Sequence, residues 1–292
     1  MAEHQYPLGH VFYRKLNKRL PLIVRGEGCW LVDETGKRYL DACGGAFVAN
    51  LGHGLSDIGD AMAEQARQVA YVNGTTFTHH PVEELAAEVA ALSPGDLNRV
   101  YPLSSGSEAV EAALKFARQY WVETGRPKKH RIVALTPAYH GNTLLALSAS
   151  AREHYKTYYR EWLVDVIRVP APYAYRCACH GRPPLCPACD GSAVEQAIVK
   201  AGPESVAVFI AEPVGGSSSG ATVPGSMITT SWSEANCSSS AEVKRGILLQ
   251  IPICQKASTF QTRRLLSLSY PKKIRGVEKN LESVDSLNVF HT

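Results

Sequence analysis

The chain has 292 residues, 45% hydrophobic and 20% charged, which is ordinary for a soluble globular protein of one large or two moderate domains. Its formal charge is only +4 and no Lys/Arg run exceeds two residues, so nothing in the charge pattern suggests a nucleic-acid partner. The opening residues, MAEHQYPLGHVFYRKLNKRLPLIV, lack the apolar core of a signal peptide, and no apolar run approaches the roughly 20 residues of a membrane span. A soluble, cytoplasmic protein without membrane contact is expected.

In chain order, the first readable element is a hairpin. In GCWLVDETGKRYLDACGG, two short β-prone runs, Trp30–Val32 and Arg38–Leu40, flank the turn Asp33-Glu34-Thr35-Gly36. SDIGDAMAEQARQVAY places Ile58, Met62, Ala66 and Val69 at helical spacing, with Ser56 as a cap. PVEELAAEVAALSPG reads as a second helix, opened by Pro81 and closed by Pro94-Gly95. NRVYPL reads as a short strand. Residues 106–124 read as a helix with Val110, Ala113, Leu114, Ala117 and Trp121 on one face, ended by Gly125 and Pro127. RIVALTP is a buried-type strand, NTLLALSAS a helix capped by Asn142 or Thr143, and SVAVFIAEPV another buried strand. Strands alternating with helices over short links predict an α/β fold with a mostly parallel sheet flanked by helices.

Composition changes near Gly225. The last 67 residues carry only three alanines and eleven serines, and GILLQIPI is the one clear strand there. The expected organisation is an N-terminal segment with the hairpin over 1–55, an α/β domain over 56–225, and a divergent, poorly ordered tail over 226–292.

Three stretches can carry chemistry. Ser104-Ser105-Gly106-Ser107 lies between a predicted strand and a helix, where free N–H groups and a partial positive charge gather. Glycine admits a ligand to the backbone and serine adds donors, which suits a phosphate; a plain serine cap fits the same residues, with Glu108 in the first turn. TPAYHGNT, residues 136–143, also follows a strand. Tyr139 there could stack on a planar ring and His140 could position it, or both could simply pack. In FIAEPVGG, Glu212 ends an apolar strand at the same sheet edge and either finds partners or stays solvated.

Together these stretches resemble the class III, fold-type-I, pyridoxal-phosphate aminotransferases. GCWLVDETGKRYLDACGG, NLGHG, SSGSEAVEAALKFAR, YHGNT and AEPVGG stand in that family's order and spacing from about residue 10 to residue 225. The resemblance implies an incomplete large domain, with the N-terminal hairpin region belonging to a small domain. It implies an amino-group transfer from an amine or ω-amino acid to a 2-oxo acid. It assigns Ser105, Gly106 and Ser107 to the cofactor phosphate and Tyr139 to the pyridine ring. His140 and Gly141 fall in the same loop, Glu212 in the network around the ring, and Phe47 in the substrate pocket. TTFTHHPVEELA resembles a segment that meets the neighbouring subunit, implying a homodimer or mixed dimer.

The resemblance stops at the family's Schiff-base lysine. The family's strand G-(V/I)-L-L-I-x-D-E-V has only a faint likeness in GILLQIPIC, which puts Pro252 at the aspartate position. Lys244, Lys256, Lys272, Lys273 and Lys279 follow Gly225, none in a family-like context, so no catalytic lysine is assigned. The chain reads as the front half of an aminotransferase joined to an unrelated tail, as a truncated or spliced product would be. It is expected to be inactive alone. The alternatives are a non-catalytic isoform acting as a dimerisation partner, or a zinc-binding interaction protein. The last rests on YRCACHGRPPLCPACDG, where Cys177, Cys179, Cys186 and Cys189 offer enough thiolates for zinc, although a variable surface loop is the natural reading and redox chemistry a further one.

Overall fold

The computed structural model describes residues 9–93, 97–173, 175–182, 184–212, 214–216, 218, 221–222 and 247–250. The described residues divide into two compact units between Val82 and Glu83.

In the first unit, β1 (Ile23–Glu27), β2 (Trp30–Asp33) and β3 (Arg38–Leu40) form an antiparallel meander. The predicted hairpin is β2–β3, in register Trp30↔Leu40, Leu31↔Tyr39 and Val32↔Arg38. Asp33 organises its turn. Oδ1 accepts from the Thr35 hydroxyl at 2.7 Å and from the N–H groups of Thr35 and Lys37 at 2.9 and 3.0 Å, and Oδ2 accepts from the Tyr39 hydroxyl at 2.8 Å. These bonds favour the carboxylate and hold Asp33 down to about 2. The GEG and GHG segments approach closely: a Cβ on Gly26 would lie 2.5 Å from the His53 Cβ, so glycine is required there. His53 Nε2 in turn meets Asp41 Oδ2 at 2.9 Å. The short α1 (Gly44–Phe47) follows, and the side chain of Phe47 lies outside the described residues.

Helix α2 (Ser56–Gln68) has Leu55, not Ser56, as its N-cap, and none of its residues is buried. Helix α3 (His80–Leu92) starts one residue before the expected Pro81, which falls in its first turn, and buries Val89. The strand expected at NRVYPL is absent. Residues 98–103 are irregular and mostly exposed, and none of them pairs with a strand among the described residues.

The second unit is built on a parallel sheet. Helix α4 (Gly106–Glu123) leads to β4 (Arg131–Thr136), α5 (Leu144–Ala149), α6 (Glu153–Lys156) and β5 (Val166–Pro170). Then come α7 (Pro187–Asp190), α8 (Ser192–Ala201), β6 (Val206–Ala211), the short pair β7 (Val214–Gly215) and β8 (Ala221–Thr222), and β9 (Ile247–Gln250). Strand order is β5-β4-β6-β9, every pair parallel. Pairing alternates faces along each strand. Ile132, Ala134, Val208 and Ile210 pack with Val110, Leu114, Ala117 and Trp121 of α4, while Val133, Leu135 and Phe209 pack with Val194 and its neighbours on α8. Burial on both faces is why β4 and β6 read as unbroken apolar runs rather than alternating ones. Trp121 fills the α4–sheet layer at 1% exposure, and its indole N–H donates to the Ala207 carbonyl at 2.7 Å.

Candidate cofactor site

The carboxyl ends of β4 and β6 and the amino end of α4 converge. At α4, the Ser105 hydroxyl accepts from the Glu108 N–H at 3.2 Å, and the Glu108 carboxylate accepts from the Ser104 N–H at 3.0 Å. Ser105 is therefore the cap. The N–H groups of Gly106 and Ser107, in the first helical turn, have no intrahelical acceptor and keep their positive partial charge.

The loop after β4 is bolted to this helix end. Ser107 Oγ accepts from the Asn142 N–H at 3.0 Å, and the Thr143 hydroxyl donates to the Ser107 carbonyl at 3.3 Å. Among the described residues the Ser107 hydroxyl only accepts, so its own proton remains available to a ligand. Gly141 makes the approach possible. Its φ is +133°, and a Cβ there would stand 2.8 Å from both Cα and Oγ of Ser107. Helix α5 starts directly behind, its amino end capped across the interface: Glu111 Oε2 of α4 accepts from the Thr143 hydroxyl at 2.6 Å and from the N–H groups of Leu145 and Ala146.

The same loop is bolted to β6. The Tyr139 N–H donates to Glu212 Oε2 at 2.8 Å, and the Ser218 hydroxyl donates to the same oxygen at 2.8 Å. Burial pushes the Glu212 carboxyl up, with these two bonds partly opposing the rise. Its Oε1 is buried with no partner among the described residues. The Tyr139 ring is half-buried, edge-on to Tyr155 at 6.3 Å between centroids. His140 is buried, and neither ring nitrogen has a partner among the described residues. Desolvation, helped by the nearby Arg168 charge, lowers its pKa to about 3, so the imidazole is neutral at physiological pH. The backbone N–H of His140 donates to the Ser150 hydroxyl at 2.8 Å.

The structure thus brings Ser105, Gly106, Ser107, Tyr139, His140, Gly141 and Glu212 to one edge of the sheet. Glu111, Ser150, Arg168 and Ser218 support them and escaped the sequence reading. Arg168 alone left a signal, a cation inside the apolar strand VIRVP; its guanidinium donates to the carbonyls of Ser148, Ala149 and Ser150. Glu111 looks like any polar residue on a helix. Cys177, Cys179, Cys186 and Cys189 gather elsewhere, with all four Sγ atoms within 4.8 Å of one another.

The family model for class III aminotransferases matches residues 12–230. The chain belongs to the class III aminotransferases. Members of this family are pyridoxal-phosphate-dependent transaminases, and their fold-type-I large domain is the one seen here in part. The chain is 38% identical over 217 residues to an uncharacterized aminotransferase of Schizosaccharomyces pombe, covering 74% of this chain and 47% of that protein. It is 31% identical over 214 residues to the putrescine–pyruvate aminotransferase of Pseudomonas aeruginosa, covering 73% and 47%. The crystal structure of an (S)-enantioselective omega-transaminase from Thermomicrobium roseum superposes with a TM-score of 0.67 at 34% identity, over 75% of this chain and 50% of that one. The chain spans about half the length of the curated relatives it matches. No helix among the described residues is long and apolar enough to cross a membrane.

Proposed function

We propose that the chain carries the cofactor-side half of a transaminase site, within a parent reaction that moves an amino group from an amine or ω-amino acid to a 2-oxo acid. The supporting observation is the hydrogen-bonded junction of three chain segments at one sheet edge, Ser107 with Asn142 and Thr143, and Tyr139 with Glu212. The residues present fit pyridoxal phosphate. Free N–H donors and a spare hydroxyl proton suit its phosphate, and the buried atoms of His140 and Glu212 that lack a partner among the described residues are the kind of orphan a ligand site leaves.

In this reading Gly106 and Ser107 bind the phosphate, and Ser105 keeps the helix end in shape. Tyr139 orients the ring, and His140 and Gly141 fix the loop that carries it. Glu212 holds the loop to β6 and can keep a proton on Oε1 to higher pH than a solvated carboxyl. The bound cofactor would supply an electron sink for the substrate carbon that loses or gains the amino group. The names of the P. aeruginosa and T. roseum relatives support an amine as the donor.

The 292 residues are read as insufficient for turnover alone. β9 ends at Gln250, two residues before Pro252, which stands at the resemblance's aspartate position and lies outside the described residues. Among the described residues of the second unit two lysines are buried, and both are bound to backbone carbonyls: Lys129 Nζ donates to Pro203 and Val206, and Lys156 Nζ to Ser148. The test is equilibrium dialysis of the full chain against pyridoxal phosphate, beside a transamination assay with putrescine and pyruvate. Saturable binding weakened by Ser107→Ala, with no turnover, is expected. Absence of saturable binding removes the site; robust turnover removes the inactivity.

Association with a second chain is supported by α2, whose apolar stripe is exposed, Met62 at 69%. A homodimer or a mixed dimer with a full-length relative would cover it.

A further inference from the structure

The connection from β5 to α8 spans residues 171–191, and among its described residues the one regular element is the four-residue α7. Connections of that length are uncommon in compact domains unless something holds them. Four cysteines fall within thirteen residues of this one. The backbone turns sharply to gather them. Right after Cys179, His180 takes a φ of +48° and Gly181 one of +70°, and a left-handed non-glycine residue is unusual. At the other end Pro187 opens α7, and the N–H of Cys189 donates to the Cys186 carbonyl at 2.8 Å, putting both thiols on one side of a single turn.

The sulfur positions decide what the gathering is for. Cys177 Sγ lies 3.4 Å from Cys179 Sγ and 3.4 Å from Cys189 Sγ, and Cys179 Sγ lies 3.5 Å from Cys186 Sγ. All four thiols are free, at separations far beyond the ~2.05 Å of a disulfide. Thiols are weak hydrogen-bonding groups, so four of them in mutual contact need a stronger common partner. A single tetrahedral ion with metal–sulfur distances of about 2.3 Å spaces its sulfurs about 3.8 Å apart, close to what is seen. A multi-iron cluster spreads its cysteine sulfurs more widely than one ion does.

We propose that Cys177, Cys179, Cys186 and Cys189 bind one zinc ion, closing the β5–α8 connection as a structural centre. All four positions are filled by protein, so the ion has no open coordination site and takes no part in transamination. Cys189, fully buried, anchors the centre to the body of the second unit, and the other three are half-buried. The proposal does not depend on the cofactor site.

The experiment is elemental analysis of the full, untagged chain, made in zinc-containing medium and purified with reductant and without chelator. About one zinc per chain is expected, with cobalt substitution giving the visible bands of a tetrahedral thiolate complex. Cys186→Ser and Cys189→Ser should lose the metal, and Cys29→Ser and Cys43→Ser should retain it. Should the ligand variants fail to fold, chelator titration of the unmodified chain reads the same point: zinc release should lower the melting temperature and expose four thiols to a thiol reagent. Zinc at background level, an intact mass showing disulfides, iron in place of zinc, or release without change in melting or thiol reactivity would each overturn the assignment.

Discussion

The His140 imidazole sits in the core beneath the loop it belongs to, and its environment fixes its charge. An unfolded chain takes up a proton there near pH 6.5 and the folded chain only near 3. Between those values acid therefore favours the unfolded state, and stability should fall as pH drops, at up to about 1.4 kcal/mol per pH unit. Glu212 works in the opposite direction. Its raised pKa gives a contribution that is full below its ordinary value of 4.5 and is lost as pH rises through the folded value. A His140→Leu variant should show a flatter fall of the urea midpoint across the acid window; an unchanged slope would count against a buried neutral imidazole. Asp33 adds a separate acid limb. Its depressed pKa gives the hairpin a contribution present above 3.8 and lost as pH falls toward about 2, which carboxyl-resolved NMR titration should record. Gly141→Ala should cost about 1–3 kcal/mol from its backbone angle, and more from the contact with Ser107. Thermal unfolding should show the loss, accompanied by weaker retention of pyridoxal phosphate.

Helices α4 and α5 hold the site through two contacts that can be tested apart. Trp121→Phe keeps an aromatic ring but removes the indole N–H bound to the buried Ala207 carbonyl and leaves a small void, and should cost at least about 1–3 kcal/mol in urea unfolding without touching cofactor binding. Glu111→Ala removes the cap that α4 lends to α5 and should cost about 1 kcal/mol while also loosening the Asn142–Thr143 segment. Cofactor dialysis should separate them, since only the second variant should weaken binding. This contrast marks where sequence was legible. The apolar face Val110, Leu114, Ala117 and Trp121 repeats with the helical period, so its burial could be read directly. Glu111 caps a helix 33 positions later, a partnership that no local pattern encodes. NRVYPL misled for the complementary reason: its residues favour a strand, but a strand exists only where a neighbour accepts its hydrogen bonds.

At the scale of the molecule, the sheet is the unit that matters. Ser107, Tyr139 and Glu212 are far apart in sequence, yet the parallel order β5-β4-β6 brings two of them to adjacent strand ends and folds the third onto them. That convergence was readable because the Tyr139 and Glu212 stretches each adjoin the end of a buried-type strand and the Ser107 stretch opens a helix with a clear apolar face. The supporting bonds were not, because they depend on tertiary geometry. β9 covers the outer edge of β6 through four paired residues, Val208↔Ile247 to Ala211↔Gln250. Removing everything after residue 230 should therefore expose the edge of a strand buried on both faces, and soluble yield should drop with aggregation at higher concentration. Equal solubility of the shortened chain would show that β9 is dispensable.

Arg168 has a consequence of another kind. It sits in the edge strand, and its guanidinium grips three carbonyls at the carboxyl end of α5. One of them belongs to Ser150, whose hydroxyl steadies the N–H of His140. In a saturating mutational scan scored by ligand retention, position 168 should group with the loop residues 139–141 and not with its strand neighbours. A map of tolerance drawn from distance to the ligand alone would leave it out.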